Sequence, residues 1–160
     1  PWETYQVPGG SGTIAVQAVP AVHGPADGQR DAGGHVNCEV TGFVLSGPGL
    51  PTVYLSGDNA SLAAVREVAE RVGDIDIAVL FAGAARVSTK ERGRPLTLTA
   101  QRAAAAAEVL GARLVIPAHV DGWAHFSENA DDFVAAFDQA GITSVLRVAA
   151  DGDWIDVNFS

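Results

Sequence analysis

The chain has 160 residues, 48% of them apolar, and a mean hydropathy of +0.16, which suits one globular domain over residues 1–160 and excludes a disordered chain. Nineteen acidic side chains against ten basic ones leave a net charge of −9, which opposes nonspecific nucleic-acid binding because a phosphate backbone needs neutralising cations. No apolar run reaches membrane-spanning length, and the single Cys38 permits no internal disulfide, so the expected compartment is the cytoplasm.

Pro1 to Gly12 reads as an edge strand or connector that ends in the flexible Pro8-Gly9-Gly10-Ser11-Gly12. Thr13 to Val19 alternates, with Ile14, Val16 and Ala18 on one face, and predicts a strand running through Pro20-Ala21-Val22 to His23. The glycine-rich segment 24–37 carries Asp27, Arg30, Asp31 and His35 without a period and is expected to be a loop. His35 reads either as an exposed loop histidine or as a group overhanging a site. Thr41–Ser46 and Thr52–Leu55 are apolar runs joined through Gly47-Pro48-Gly49, a hairpin signal.

After Leu55 the chain passes through Ser56-Gly57-Asp58-Asn59, where Gly57 frees the turn and Asn59 is expected to cap a helix over Ala60–Val72. Leu62, Val65, Val68 or Ala69, and Val72 form its apolar stripe, and Gly73 ends it. Ile75–Phe81 is nearly all apolar, as a parallel strand buried on both faces would be. Gly83–Pro95 holds four of the ten basic residues. It reads as a solvated loop, or as the source of Arg86, Lys90 or Arg94 for an anionic substrate group. Thr97 or Thr99 can cap the alanine-rich helix that follows.

Leu114–His119 is a third apolar strand ending in a proline and a histidine. Trp123 and Phe126 just beyond it suit either a substrate pocket or plain core packing, and His125 suits a proton donor, a leaving-group contact or an orienting partner of His119. Ser127 is expected to cap a last helix that buries Phe133, Val134 and Phe137 and closes at Gly141. Ser144–Val148 and Trp154–Val157 are expected as final strands across the Asp151-Gly152-Asp153 turn.

His23, Asp58 and His119 therefore each follow an apolar strand, at the sheet edge where open α/β folds bind ligands. Taken singly, the carboxylate reads equally as a helix cap or Asx turn, and each histidine as a core or surface residue. Three metal-competent side chains in one position on three strands point instead to a zinc, iron or manganese site. A nucleotide-binding reading of "SGDNAS" lacks support, because neither GxGxxG nor GxxxxGK[ST] is present.

The order "IAVQAVPAVHGP", "GFVLSGPGLPTVYLSGDNA", "IDIAVLFAG", "TLTAQRAAAAAEVLGA", "LVIPAHVDGWAHF" resembles the carboxyl-terminal half of the metallo-β-lactamase-fold hydrolases, especially the branch of ascorbate-phosphate lactonase-like and phospholipase D-type enzymes. The resemblance implies half of an αββα sandwich, with a mixed sheet covered by helices, and a small-molecule ester, lactone or phosphodiester attacked by metal-activated hydroxide. It implies that His23 completes the first metal site, that Asp58 bridges two ions and is catalytic, and that His119 completes the second site. The "GWxHF" pattern is similar to that branch too and places His125 among the catalytic candidates.

The family's HxHxDH loop is not found in these residues. The chain also has no methionine and starts Pro1-Trp2-Glu3-Thr4-Tyr5, as if in mid-protein, which favours a fragment, a split gene product or a truncated chain. Two ions are expected in the complete family site, but weak binding or one ion, and no activity, in this chain alone. Its expected partner is the complementary amino-terminal half, or a second copy of itself, rather than nucleic acid or membrane. The alternative is a non-catalytic oligomeric or interaction module built on the same fold.

Overall fold

A computed structural model describes residues 1–10, 12–24, 39–150 and 152–157. Segment 25–38, with His35 and Cys38, lies outside the described residues. Six strands form one mixed sheet in chain order: β1 (Thr4–Gly9), β2 (Gly12–Pro20), β3 (Thr41–Ser46), β4 (Val53–Leu55), β5 (Ile77–Phe81) and β6 (Leu114–Ala118). β1 through β4 pair antiparallel, whereas β4, β5 and β6 pair parallel through crossovers that carry α1 (Leu62–Val72) and α2 (Ala100–Leu110). A parallel pair needs such a long crossover, and a helix supplies it. The last helix, α3 (Ala130–Gln139), packs on α2.

The core lies between the helices and one sheet face, where Val44, Tyr54, Ala78, Leu80 and Val115 meet Val65 and Val68 of α1, the alanines of α2 and Phe133 and Phe137 of α3. Alanine after alanine along α2 lets its backbone approach closely. Tyr54 is wholly buried, its hydroxyl has no hydrogen-bond partner, and burial pushes its pKa far up, so it serves as an apolar ring.

The opposite face is built from the alternate residues of the same strands. The register lines up Tyr5 with Val16, Val7 with Ile14, Val16 with Leu45, Ala18 with Phe43, Phe43 with Leu55, Leu55 with Val79, Val79 with Ile116 and Phe81 with Ala118. Not one of these side chains is charged, yet Tyr5, Val7 and Phe43 are exposed, and Val53, Leu55, Val79, Phe81 and Ile116 are only half-buried. Described residues thus leave this apolar face partly open to solvent.

Several sequence expectations change. The α1 cap is Ser61, whose hydroxyl accepts from the Ala64 N–H, rather than Asn59, and the helix begins at Leu62 instead of Ala60. The α3 cap is Asn129, which forms a capping box with Asp132, rather than Ser127. Val134 of α3 faces solvent, while Phe133 and Phe137 are buried as expected. Thr99 caps α2, and Thr97 instead accepts from the Ala85 N–H. Ser144–Val148 is not a strand: Thr143–Val145 is a short 3-10 turn, and only Leu146 bridges to Val115. Trp154–Val157 forms no strand among the described residues, and Trp154 is 99% exposed.

Candidate metal centre

Each of the three candidate ligands leaves its strand at the same edge. Val22, just before His23, is held by Asn59: its N–H donates to Asn59 Oδ1 at 3.0 Å, and its carbonyl accepts from the Ala60 N–H at 2.7 Å. Asp58 follows Gly57, whose φ of 57° lies in the left-handed region and whose Cβ position is filled by the Thr41 carbonyl, 2.8 Å away. Ser56 locks this turn to β5, because its hydroxyl donates to the Gly57 carbonyl and accepts from the Phe81 N–H.

His119 also has positive φ, 56°. For a residue with a Cβ this conformation costs about 1 to 2 kcal/mol, and it must be held by its surroundings. Here the Gly83 N–H donates to the His119 carbonyl at 3.0 Å, extending the β5–β6 ladder past the strands. The imidazole lies between Phe81, at 5.5 Å, and Phe126, edge-on at 4.6 Å.

The folded chain brings His23, Asp58 and His119 together. His23 Nε2 lies 3.4 Å from Asp58 Oδ2, and His119 Nδ1 lies 3.0 Å from Asp58 Oδ1, with side-chain exposures of 16%, 30% and 30%. One carboxylate thus offers a different oxygen to each imidazole. The His119 contact is close but not aligned as a hydrogen bond, and both of its atoms are buried without a hydrogen-bond partner. A hydrogen bond with His23 holds the Asp58 carboxyl below the usual carboxylate range, against the burial that would raise it, and the charges of His119 and His23 act in the same direction.

His125 is not in this cluster. It is exposed, its backbone carbonyl accepts from the Arg86 N–H, and its ring reaches His119 only through Phe126, at 4.9 Å. Trp123 is 63% exposed and packs against His125 at 5.8 Å, while Phe126 is half-buried against Gly83. Arg86 is tied down, with Nε donating to Ser127 Oγ and Nη1 to the Gly93 carbonyl, both at 3.0 Å. Asn59, Ser56 and Gly83 build the site through Val22, Phe81 and His119, partners far away along the chain that local sequence does not reveal.

The donor set fits a metal. Two ligands about 2.0 to 2.2 Å from one ion are roughly 3 to 3.5 Å apart, which is the spacing of each imidazole nitrogen from its Asp58 oxygen. Two buried polar atoms that face each other without a hydrogen-bond partner are otherwise unfavourable. Yet among the described residues no group of three or more His, Cys, Asp and Glu side chains converges to hold an ion. Each half of the cluster contributes two ligands, one short of the three usual at a catalytic zinc.

The mixed α/β sheet presents a carboxylate between two imidazoles at its strand ends. The sequence matches the beta-lactamase superfamily domain over residues 1–120, and the chain belongs to that superfamily. It is 32% identical over 148 residues to a UPF0173 metal-dependent hydrolase of Methanosphaerula palustris, covering 90% of this chain and 62% of that one. It is 30% identical over 122 residues to another from Pyrococcus abyssi, covering 76% and 47%. The chain therefore spans only part of the length of the curated relatives it matches.

Among solved structures it is similar to a possible metal-dependent hydrolase from Veillonella parvula, with a TM-score of 0.75 at 18% identity, over 92% of this chain and 55% of that one. It is also similar to an isothiocyanate hydrolase from Delia radicum gut bacteria, with a TM-score of 0.73 at 16% identity and the same coverages. These likenesses are to the fold. No helix among the described residues is long and apolar enough to cross a membrane.

Proposed function

We propose that the chain is the carboxyl-terminal half of a metal-dependent hydrolase site, with His23 and Asp58 serving one ion, Asp58 and His119 the other, and the remaining ligands supplied by a complementary half. The observation that carries this reading is the single Asp58 carboxylate facing both imidazoles, one oxygen to each. The metal, zinc or else iron or manganese, would supply Lewis-acid stabilisation and lower the pKa of bound water toward about 7.

The chain's own residues do the rest. Asp58 stays ionised because the His23 hydrogen bond favours its charged form. Phe81 and Phe126 shield the His119 ring and limit water at that side. His125, exposed one ring away from His119, is placed to give a proton to a leaving group of an ester, lactone or phosphodiester, with Trp123 beside it along the small-molecule substrate. The open apolar sheet face continues to the site through Phe81, and the complementary half covers both together; with no such half present, a second copy takes that place.

The test is the metal content of the purified chain by elemental analysis, beside His119→Ala. One ion or fewer per chain, reduced in the variant, and no metal-dependent hydrolysis by the chain alone are expected. Brisk hydrolysis by the pure chain would overturn the half-site, and equal metal in both proteins would remove His119 from it. Light scattering of the chain alone is expected to show self-association through the open face, and a clean monomer would argue against that role for it.

A further inference from the structure

We infer that Asn59 is a positioning residue that fixes His23 against Asp58. The inference rests on the reading that these two side chains hold metal. β2 stops pairing at Pro20, opposite Thr41, so residues 21–23 leave the sheet without a ladder to hold them. Asn59 takes over. Wholly buried, it accepts with one oxygen from the N–H groups of Val22 and Ser61, both at 3.0 Å, while Nδ2 donates to the Ser61 carbonyl at 2.9 Å.

Its backbone adds a third anchor, because the Asn59 carbonyl accepts from the Leu98 N–H at 2.9 Å and so ties the turn to the segment before α2. That same segment presses on the His23 loop, where a Cβ on Gly24 would sit 2.7 Å from Leu96 Cα. The cap of α1 does not need Asn59, since Ser61 already fills that role. What its amide does is join the residue before His23 to the residue after Asp58, across 37 positions of sequence, beside the bond from the Ala60 N–H to the Val22 carbonyl. Without it, Val22 keeps the bond from the Ala60 N–H to its carbonyl but loses the one at its own N–H, and the 3.4 Å spacing of His23 from Asp58 that a shared ion requires is held less firmly.

The test compares Asn59→Ala with Ser61→Ala, which removes a helix cap and leaves the bridge to Val22. In metal-free protein, hydrogen exchange at the Val22 amide is expected to rise roughly tenfold or more in Asn59→Ala and to change little in Ser61→Ala. Zinc affinity is expected to fall about tenfold or more in Asn59→Ala only, the size seen when residues that orient metal ligands are lost. Equal zinc affinity in both variants would overturn the inference, since a merely structural Asn59 would weaken folding as a lost cap does.

Should Asn59→Ala not fold, two measurements still decide. Val22 in the unaltered chain must be protected like a helix amide, and Asn59→Asp, which keeps the accepting oxygen, must retain that protection; a Val22 amide exchanging as freely as an open loop would overturn the proposal. An unaltered chain that takes up no zinc defeats the metal reading alone, while Val22 exchange still supports or defeats the positioning.

Discussion

Asp58→Asn is expected to remove metal from the chain, with affinity falling at least about 100-fold, beyond the loss that follows from disturbing a residue behind the ligands. The reason is geometric. Asp58 faces both imidazoles, so an amide in its place leaves one half of the cluster a neutral oxygen and the other an NH2 that cannot act as a ligand, whereas His23→Ala or His119→Ala each leaves one imidazole–carboxylate pair intact. The order of effect should be Asp58→Asn first, then the two histidine variants. Titration with zinc, followed by equilibrium dialysis, measures it. A histidine variant that loses more than Asp58→Asn would show that the carboxylate is not shared.

The same substitution has a signature in acid. With its folded pKa below the ordinary carboxylate value of about 4, Asp58 contributes stability that is fully present above that value and is lost as pH falls through the lowered one. In the presence of chelator, the unaltered chain should melt above Asp58→Asn at neutral pH, and the two curves should converge in strong acid. A constant gap down to low pH would mean that the carboxylate acts by shape rather than charge.

How much of this was legible in the sequence depended on whether a feature was local. Five of the six paired strands announce themselves through alternation or apolar runs, whereas Thr4–Gly9 reads equally as an edge strand or a connector; the positions of His23, Asp58 and His119 just beyond three of the five follow from chain order alone. Ser144–Val148 has the same residue types, but strand propensity is a matter of neighbours, and only Leu146 finds one. Asn59 and Ser61 are both good capping residues two positions apart, and local sequence cannot choose between them. In the fold the Asn59 oxygen accepts from Val22, far back along the chain, as well as from the Ser61 N–H, and Ser61 caps the helix. The spacing of each imidazole from Asp58 and the open apolar face likewise come from register and packing, which periodicity does not encode.

Gly83→Ala is expected to be the most damaging single methyl group that can be added to this edge of the sheet. A Cβ there would stand 2.5 Å from the His119 carbonyl oxygen and 2.9 Å from the Phe126 ring. The first contact is with backbone that cannot swing aside, and Gly83 also donates to that carbonyl and accepts at its own oxygen from the Ser127 N–H at 3.0 Å. Relief must come from parting β5 from the segment after β6, at a cost of about 3 kcal/mol, the upper part of the range for overpacking. For a chain of this size that lowers the melting temperature by roughly 6 to 12 °C. Gly10→Ala, whose Cβ meets nothing within 4 Å, serves as the control and should fall within about 0.5 kcal/mol of the unaltered chain. Because His119 depends on Gly83 to hold its positive φ, the loss in metal affinity should match that of His119→Ala even in the fraction that remains folded. A Gly83→Ala protein melting with Gly10→Ala would mean that the loop after β6 yields easily, and that His119 is not held in place by the strand beside it.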